Sequence, residues 1–281
     1  MKTKNKLLII VSLTLLSTIL RLPSIGVPLD IDEGIDFHEH AFVSWKTLFF
    51  DYWDIKHTLF NALSRLSMKL FGVNEVTSRL PALLSGILAI PLLYWVCLLL
   101  LNSESTATLS SYLLAFSIPH LGYSHDGRGY TLSVLLALSL VLVILKLTER
   151  KNIFWWGFLL PVLGFCMVLN LVSDVFFIAA VSVFFLFAYI ARHKREREGS
   201  SYIKVIIDFT PFVIMFGLIV VYYFILHSDL EQKVVYYGQL RHLSKFLAIF
   251  KFLVSPWGAW LYLIAGYGFL SLIWKNKHLL F

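Results

Sequence analysis

Eight stretches without a single Asp, Glu, Lys or Arg, at 7–20, 80–102, 106–124, 129–145, 152–173, 175–191, 209–226 and 252–274, leave this chain few architectures. About 20 apolar residues in helical form match the hydrocarbon thickness of a bilayer, where the segment must satisfy its own backbone. Such runs predict an all-α polytopic membrane protein, a transmembrane bundle of about eight helices forming a single domain over 1–281. A mean hydropathy of +0.77 and a charged fraction of 15% agree and exclude a soluble globular domain.

The charges sort by side. With the N-terminus in the cytoplasm, the loops on that side hold thirteen basic residues against five acids, and the opposite side holds eleven against twelve. That asymmetry is the positive-inside rule, and it places the chain in a plasma or inner membrane with a cytoplasmic N-terminus. It also accounts for the net charge of +7 without a nucleic acid partner. Lys2, Lys4 and Lys6 precede the first run and Arg21-Leu22-Pro23 follows it where a small-residue cleavage site would stand, so that run reads as an uncleaved first helix. Cys97 and Cys166 lie inside apolar runs and read as packing residues.

Between the first two spans, residues 21–79 contain no run long enough to cross and form a long extracytoplasmic loop. Ile35, Phe42, Trp45 and Phe49 recur at helical spacing, as do Leu59, Leu63, Leu66 and Leu70 before Gly72, which predicts two amphipathic helices lying on the membrane surface. A third is predicted within 228–251, with Leu240, Leu243, Leu247 and Phe250 on one face. The chain ends at Phe281 soon after a span, as a short or a truncated member of its family would.

The outer loops carry the chemistry. Five carboxylates fall within 30–40, and a carboxylate in hydrocarbon costs at least ~2.5 kcal/mol, so these acids face water or do work. Four groups share that side: Asp32-Glu33, Lys56-His57, the segment Ser124-His125-Asp126-Gly127-Arg128-Gly129-Tyr130, and Ser173-Asp174. Each stands at a helix end beside the bilayer surface, where a lipid-linked phosphate lies. Asp36 with His40 has the i, i+4 spacing of a metal pair, which keeps a divalent metal open as a cofactor. His120 and Asn170, within spans, read as helix–helix hydrogen-bond partners. Trp53 and Tyr236-Tyr237 suit sugar stacking and an interfacial belt equally.

The order of these motifs resembles the polyprenyl-phosphate-sugar glycosyltransferases of the GT-C fold, the group of the dolichyl-phosphate-mannose protein mannosyltransferases and the aminoarabinose transferases of lipid A. The resemblance rests on Asp32-Glu33, His57-Thr58-Leu59, Lys69-Leu70-Phe71-Gly72-Val73, Ser78-Arg79-Leu80-Pro81-Ala82 and Tyr123-Ser124-His125-Asp126-Gly127-Arg128-Gly129-Tyr130. It covers 7–190 well and the remainder by topology. Thr58 stands where the family usually has proline, Asp126 where glutamate is commoner, and Ser173-Asp174 where Thr-His is frequent.

The resemblance implies a GT-C-like bundle and inverting transfer of a hexose or pentose from a polyprenyl-phosphate donor, on the extracytoplasmic side, to a protein, a lipid or a growing glycan. Such transfer needs a base for the nucleophile and cations for the departing phosphate. By resemblance Asp32 is the general base and Glu33 positions the acceptor or the base. Arg128, whose guanidinium can hold phosphate oxygens bidentately, takes the donor phosphate together with Lys56 and His57, while Asp126, Tyr130 and Asp174 support. A secondary transporter and a noncatalytic scaffold subunit are the competing classes. The first would call for midplane charges and broken-helix repeats, whereas these charges lie at the outer interface.

Overall fold

The computed structural model describes residues 3–40, 42–50, 57–149, 152–196 and 202–237. Among them the chain forms no strand and eleven helices: α1 (Thr3–Arg21), α2 (Ile31–His40), α3 (Trp45–Phe50), α4 (Thr58–Phe71), α5 (Glu75–Leu101), α6 (Glu104–Ala115), α7 (Ile118–Ser124), α8 (Tyr130–Thr148), α9 (Ile153–Asn170), α10 (Asp174–Glu196) and α11 (Tyr202–Tyr237). By length and composition α5, α8, α9 and the Val205–Ile225 part of α11 can cross a membrane. The all-α polytopic architecture stands. The span expected at 252–274 and the surface helix expected around Leu240 to Phe250 lie outside the described residues.

Three elements differ from the sequence reading. The run at 106–124 is two helices, because Pro119 opens α7 in the first-turn position where its missing N–H costs nothing. The first amphipathic stretch divides into α2 and α3 because Ser44 starts a new helix, its Oγ accepting from Thr47 N at 3.0 Å. The helix expected to end at 226 continues without a break to Tyr237, so the outer segment begins as an extension of α11.

The second amphipathic stretch is α4, closed at Gly72 by a φ of 92° that a side chain would resist. Its leucine stripe points away from the bundle: Leu66 is 49% and Leu70 67% exposed, while Asn61, Ser64 and Ser67 are buried. In water that orientation is inside out. Beside lipid it is the expected one.

Helix α5 is the central element, packed against α1, α4, α6, α7 and α8. Its start is fixed by a capping box in which Asn74 Oδ1 accepts from Thr77 N at 2.9 Å and Asn74 N donates to Thr77 Oγ1 at 3.2 Å. A core of Leu140, Ile144, Leu160, Met167, Phe212 and Met215 joins α8, α9 and α11.

Arg21, the last residue of α1, is completely buried, and among the described residues no carboxylate pairs with it. It donates to Ser124 Oγ at 3.0 Å and to the carbonyls of Ser17 and Ala115 at 3.2 and 3.4 Å, and its Nη2 meets His120 Nδ1 at 2.8 Å. Those carbonyls belong to the last turns of α1 and α6, the negative ends of both helix dipoles. The arginine therefore braces the α6–α7 break. His125 Nε2, 2.6 Å from Arg21 O, carries the brace into the loop before α8.

Candidate functional site

The acidic helix α2 is anchored before it offers anything to solvent. Asp30 Oδ1 accepts from Glu33 N at 2.8 Å and Glu33 Oε2 from Asp30 N at 3.0 Å, the reciprocal box that opens a helix. Glu33 also receives Arg79 Nε at 2.7 Å, Arg79 Nη2 and the Gly127 N–H. Its two oxygens thus accept four bonds, all that a carboxylate can hold. Burial pushes the Glu33 carboxyl up, but the hydrogen bonds from Arg79, Asp30 and Gly127 outweigh it and hold the group below its ordinary value. Arg79 is equally committed, with Nη1 on Ile25 O at 3.1 Å and on Val27 O, and Nη2 on Pro28 O at 3.1 Å. One buried ion pair fastens the 22–30 segment, α2, α5 and the loop at 125–129.

Around this anchor lies a cationic centre. Arg128 Nη1 donates to Asp32 Oδ2 at 2.9 Å, and its Nε lies 3.7 Å from Asp36 Oδ2. Asp32 is exposed whereas Asp36 is buried, with Asn61 Nδ2 on its Oδ1 at 3.3 Å. The guanidinium stands over the Tyr130 ring, 5.2 Å from its centroid, and that ring also meets His57 at 5.1 Å and Tyr123 at 4.7 Å. Arg128 is thereby held on one side by an acid and an aromatic face and on the other by an acid open to solvent.

Asp126 stands half-buried in the same loop, its Oδ1 without a hydrogen-bond partner among the described residues. Burial and the neighbouring Glu33 charge raise its carboxyl to about 7, against the opposing pull of Arg128. The ion pairs of Arg128 are with Asp32 and Asp36, and Asp126 acts with it through charge at longer range. Asp174 is tied in at one remove: its Oδ2 accepts from Ser133 Oγ at 2.7 Å, and Asn170 Nδ2 donates to Ser133 Oγ at 2.8 Å and to Gly129 O at 2.7 Å. Asn170 is the helix-joining residue its position predicts, and His120 is too, through Arg21.

Asp32, Glu33, Asp36, His57, Asp126, Arg128 and Tyr130 thus come together at one end of the bundle. Lys56 and the side chain of His40 lie outside the described residues, so the Asp36–His40 metal pair does too. A metal at Asp36 would compete with the Arg128 guanidinium, and among the described residues no group of three His, Cys, Asp or Glu is placed to hold a metal ion. Sequence reasoning missed the buried clasps of Arg79 and Arg21. Arg79 carried a signal, since it lies in one of the motifs; Arg21, a charge at the edge of an apolar run, carried none.

Residues 57–215 match the family model described as dolichyl-phosphate-mannose-protein mannosyltransferase, which covers more than half of the chain. No curated protein matches, and no solved structure does.

Proposed function

Since the chain belongs to the dolichyl-phosphate-mannose-protein mannosyltransferase family and is a membrane glycosyltransferase of that type, we propose that it moves a sugar from a polyprenyl phosphate to an acceptor at the end of the bundle where Asp32 and Arg128 meet. That meeting is the observation that carries the reading. An exposed carboxylate and a phosphate-matched guanidinium, 96 residues apart in sequence, stand in hydrogen-bond contact.

In the proposed step the acceptor oxygen or nitrogen attacks the anomeric carbon while its proton passes to Asp32. The bond from that carbon to the phosphate oxygen breaks on the opposite face, which inverts the centre. The electron pair leaves with the polyprenyl phosphate, and the Arg128 guanidinium neutralises the charge that develops there. A leaving group that is already a stable anion needs no general acid, unlike glycoside hydrolysis with its two carboxylates. Glu33, saturated by four donors, positions Asp32 through the helix they share. Tyr130 backs the guanidinium and meets His57 across its ring, and His57 and Lys56 are further groups for the phosphate. The positive-inside asymmetry supports an extracytoplasmic site, and the acceptor is a protein, a lipid or a glycan presenting a hydroxyl or amine there.

The test is release of polyprenyl phosphate from a panel of polyprenyl-phosphate sugars by the purified protein. Wild type should consume one donor, Asp32→Asn should lose about 10²- to 10⁴-fold, the span of a general base, and Arg128→Ala should bind the donor poorly. Near-normal turnover by Asp32→Asn would remove the base assignment.

A further inference from the structure

The contact that supports the proposed chemistry also obstructs it: an oxygen of Asp32 bonded to Arg128 has that lone pair occupied, and the guanidinium edge that Asp32 covers is the edge open to a phosphate. We infer that donor phosphate and Asp32 compete for Arg128, so that filling the donor site is what releases the carboxylate toward the acceptor. The inference rests on the roles proposed above for these two residues and adds the coupling between them.

The two sides of Arg128 differ in the way such an exchange requires. Asp36 is 4% exposed, receives Asn61 and lies 3.7 Å from Nε, while the Tyr130 ring backs the guanidinium, so this side is fixed. Asp32 is 59% exposed, and Arg128 is its partner among the described residues. A phosphodiester presents two nonbridging oxygens to a guanidinium and holds it bidentately, which a single carboxylate oxygen on Nη1 does not. The backbone beside Asp32 cannot follow the exchange, because Glu33 is clasped by Arg79, Asp30 and Gly127. Asp32 therefore turns about its own side-chain bonds and stays within reach of the site. Catalysis then has an order: Asp32 turns from Arg128 toward the acceptor once the donor has bound.

The coupling is measurable as binding, without turnover. Farnesyl phosphate mannose, radiolabelled, serves as the donor probe for wild type, Asp32→Asn, Asp32→Ala, Arg128→Ala and the Asp32→Asn/Arg128→Ala double variant, each purified in detergent and checked for an unchanged unfolding temperature. Removing the competing carboxylate should tighten probe binding about two- to fivefold in both Asp32 variants, the range that an exposed ion pair spans. The gain should vanish in the double variant, which binds as weakly as Arg128→Ala. Asp32 variants that bind the probe no better than wild type overturn the competition while leaving Arg128 as the phosphate residue. Wild-type binding by Arg128→Ala overturns the phosphate assignment itself and the competition with it.

Discussion

Replacing Glu33 by Gln tests whether the Arg79 clasp holds the site together. Glu33 and Arg79 are 4% and 2% exposed, and the carboxylate takes four donors: Arg79 Nε and Nη2, Asp30 N and Gly127 N. An amide in the same place keeps one accepting oxygen. Whichever way it is turned, its NH₂ points at two of those four donors and Arg79 loses its counter-charge. Breaking a buried pair from one side costs about 3–5 kcal/mol, because the remaining charge stays buried without its partner. At roughly 2–4 °C per kcal/mol for a chain of this size, the unfolding temperature in detergent should fall by at least about 6 °C. Donor binding should weaken as well, since the loosened clasp also seats Gly127, one residue from Arg128. Replacing both partners by Met should cost less than the sum of the single changes. An unfolding temperature within about 2 °C of wild type for Glu33→Gln would refute the clasp, because Glu33 is the carboxylate in ion-pair contact with Arg79 among the described residues.

Gly129→Ala should destabilise by about 1–3 kcal/mol in the same assay, because its Cβ would sit 2.5 Å from Asn170 Oδ1 and 2.9 Å from His57 Nδ1. Gly34→Ala in α2, where no atom lies within 4 Å of the new Cβ, should leave stability unchanged or raise it by about 0.5–1 kcal/mol. Asp126 gives a pH dependence of definite sign. Its folded value of about 7 lies above the ordinary 3.8, so the folded protein binds more protons between the two and the stability this supplies is lost as pH rises through 7. Unfolding temperatures at pH 5 and pH 8 should therefore differ more for wild type than for Asp126→Asn. An equal difference in the two proteins would show that this carboxyl does not carry the dependence.

How much of this could be read beforehand follows from what kind of force fixes each part. Transmembrane runs are set by composition, so α5, α8 and α9 were legible, and Gly72 as the stop of α4 was legible because only one residue type suits a φ of 92°. Asp32 and Arg128, which meet at 2.9 Å, were legible as neighbours because the expected topology puts both loops on the same side. What topology does not contain is pairing. Nothing in the sequence says that Arg79 takes Glu33, that Asp36 faces Arg128, or that Arg21 is served by carbonyls. The α6–α7 break had a local sign in Pro119, but a charge-free run of that length outweighs one proline unless a partner for the freed carbonyls is known. Here that partner is Arg21, distant in sequence from Ala115.

Helix α4, leucines outward and serines inward, has a consequence for how reactants meet. A float of this kind fixes the height of whatever is built on it, and Asn61 links α4 directly to Asp36 and so to Arg128. A phosphate tethered to an isoprenoid tail is confined to one height as well, because its tail cannot leave the hydrocarbon. On the proposed function the two need search only a plane and not a volume, and the depth of the leaflet becomes part of the recognition. Thinning or thickening the bilayer would then alter donor encounter without touching a single residue of the site.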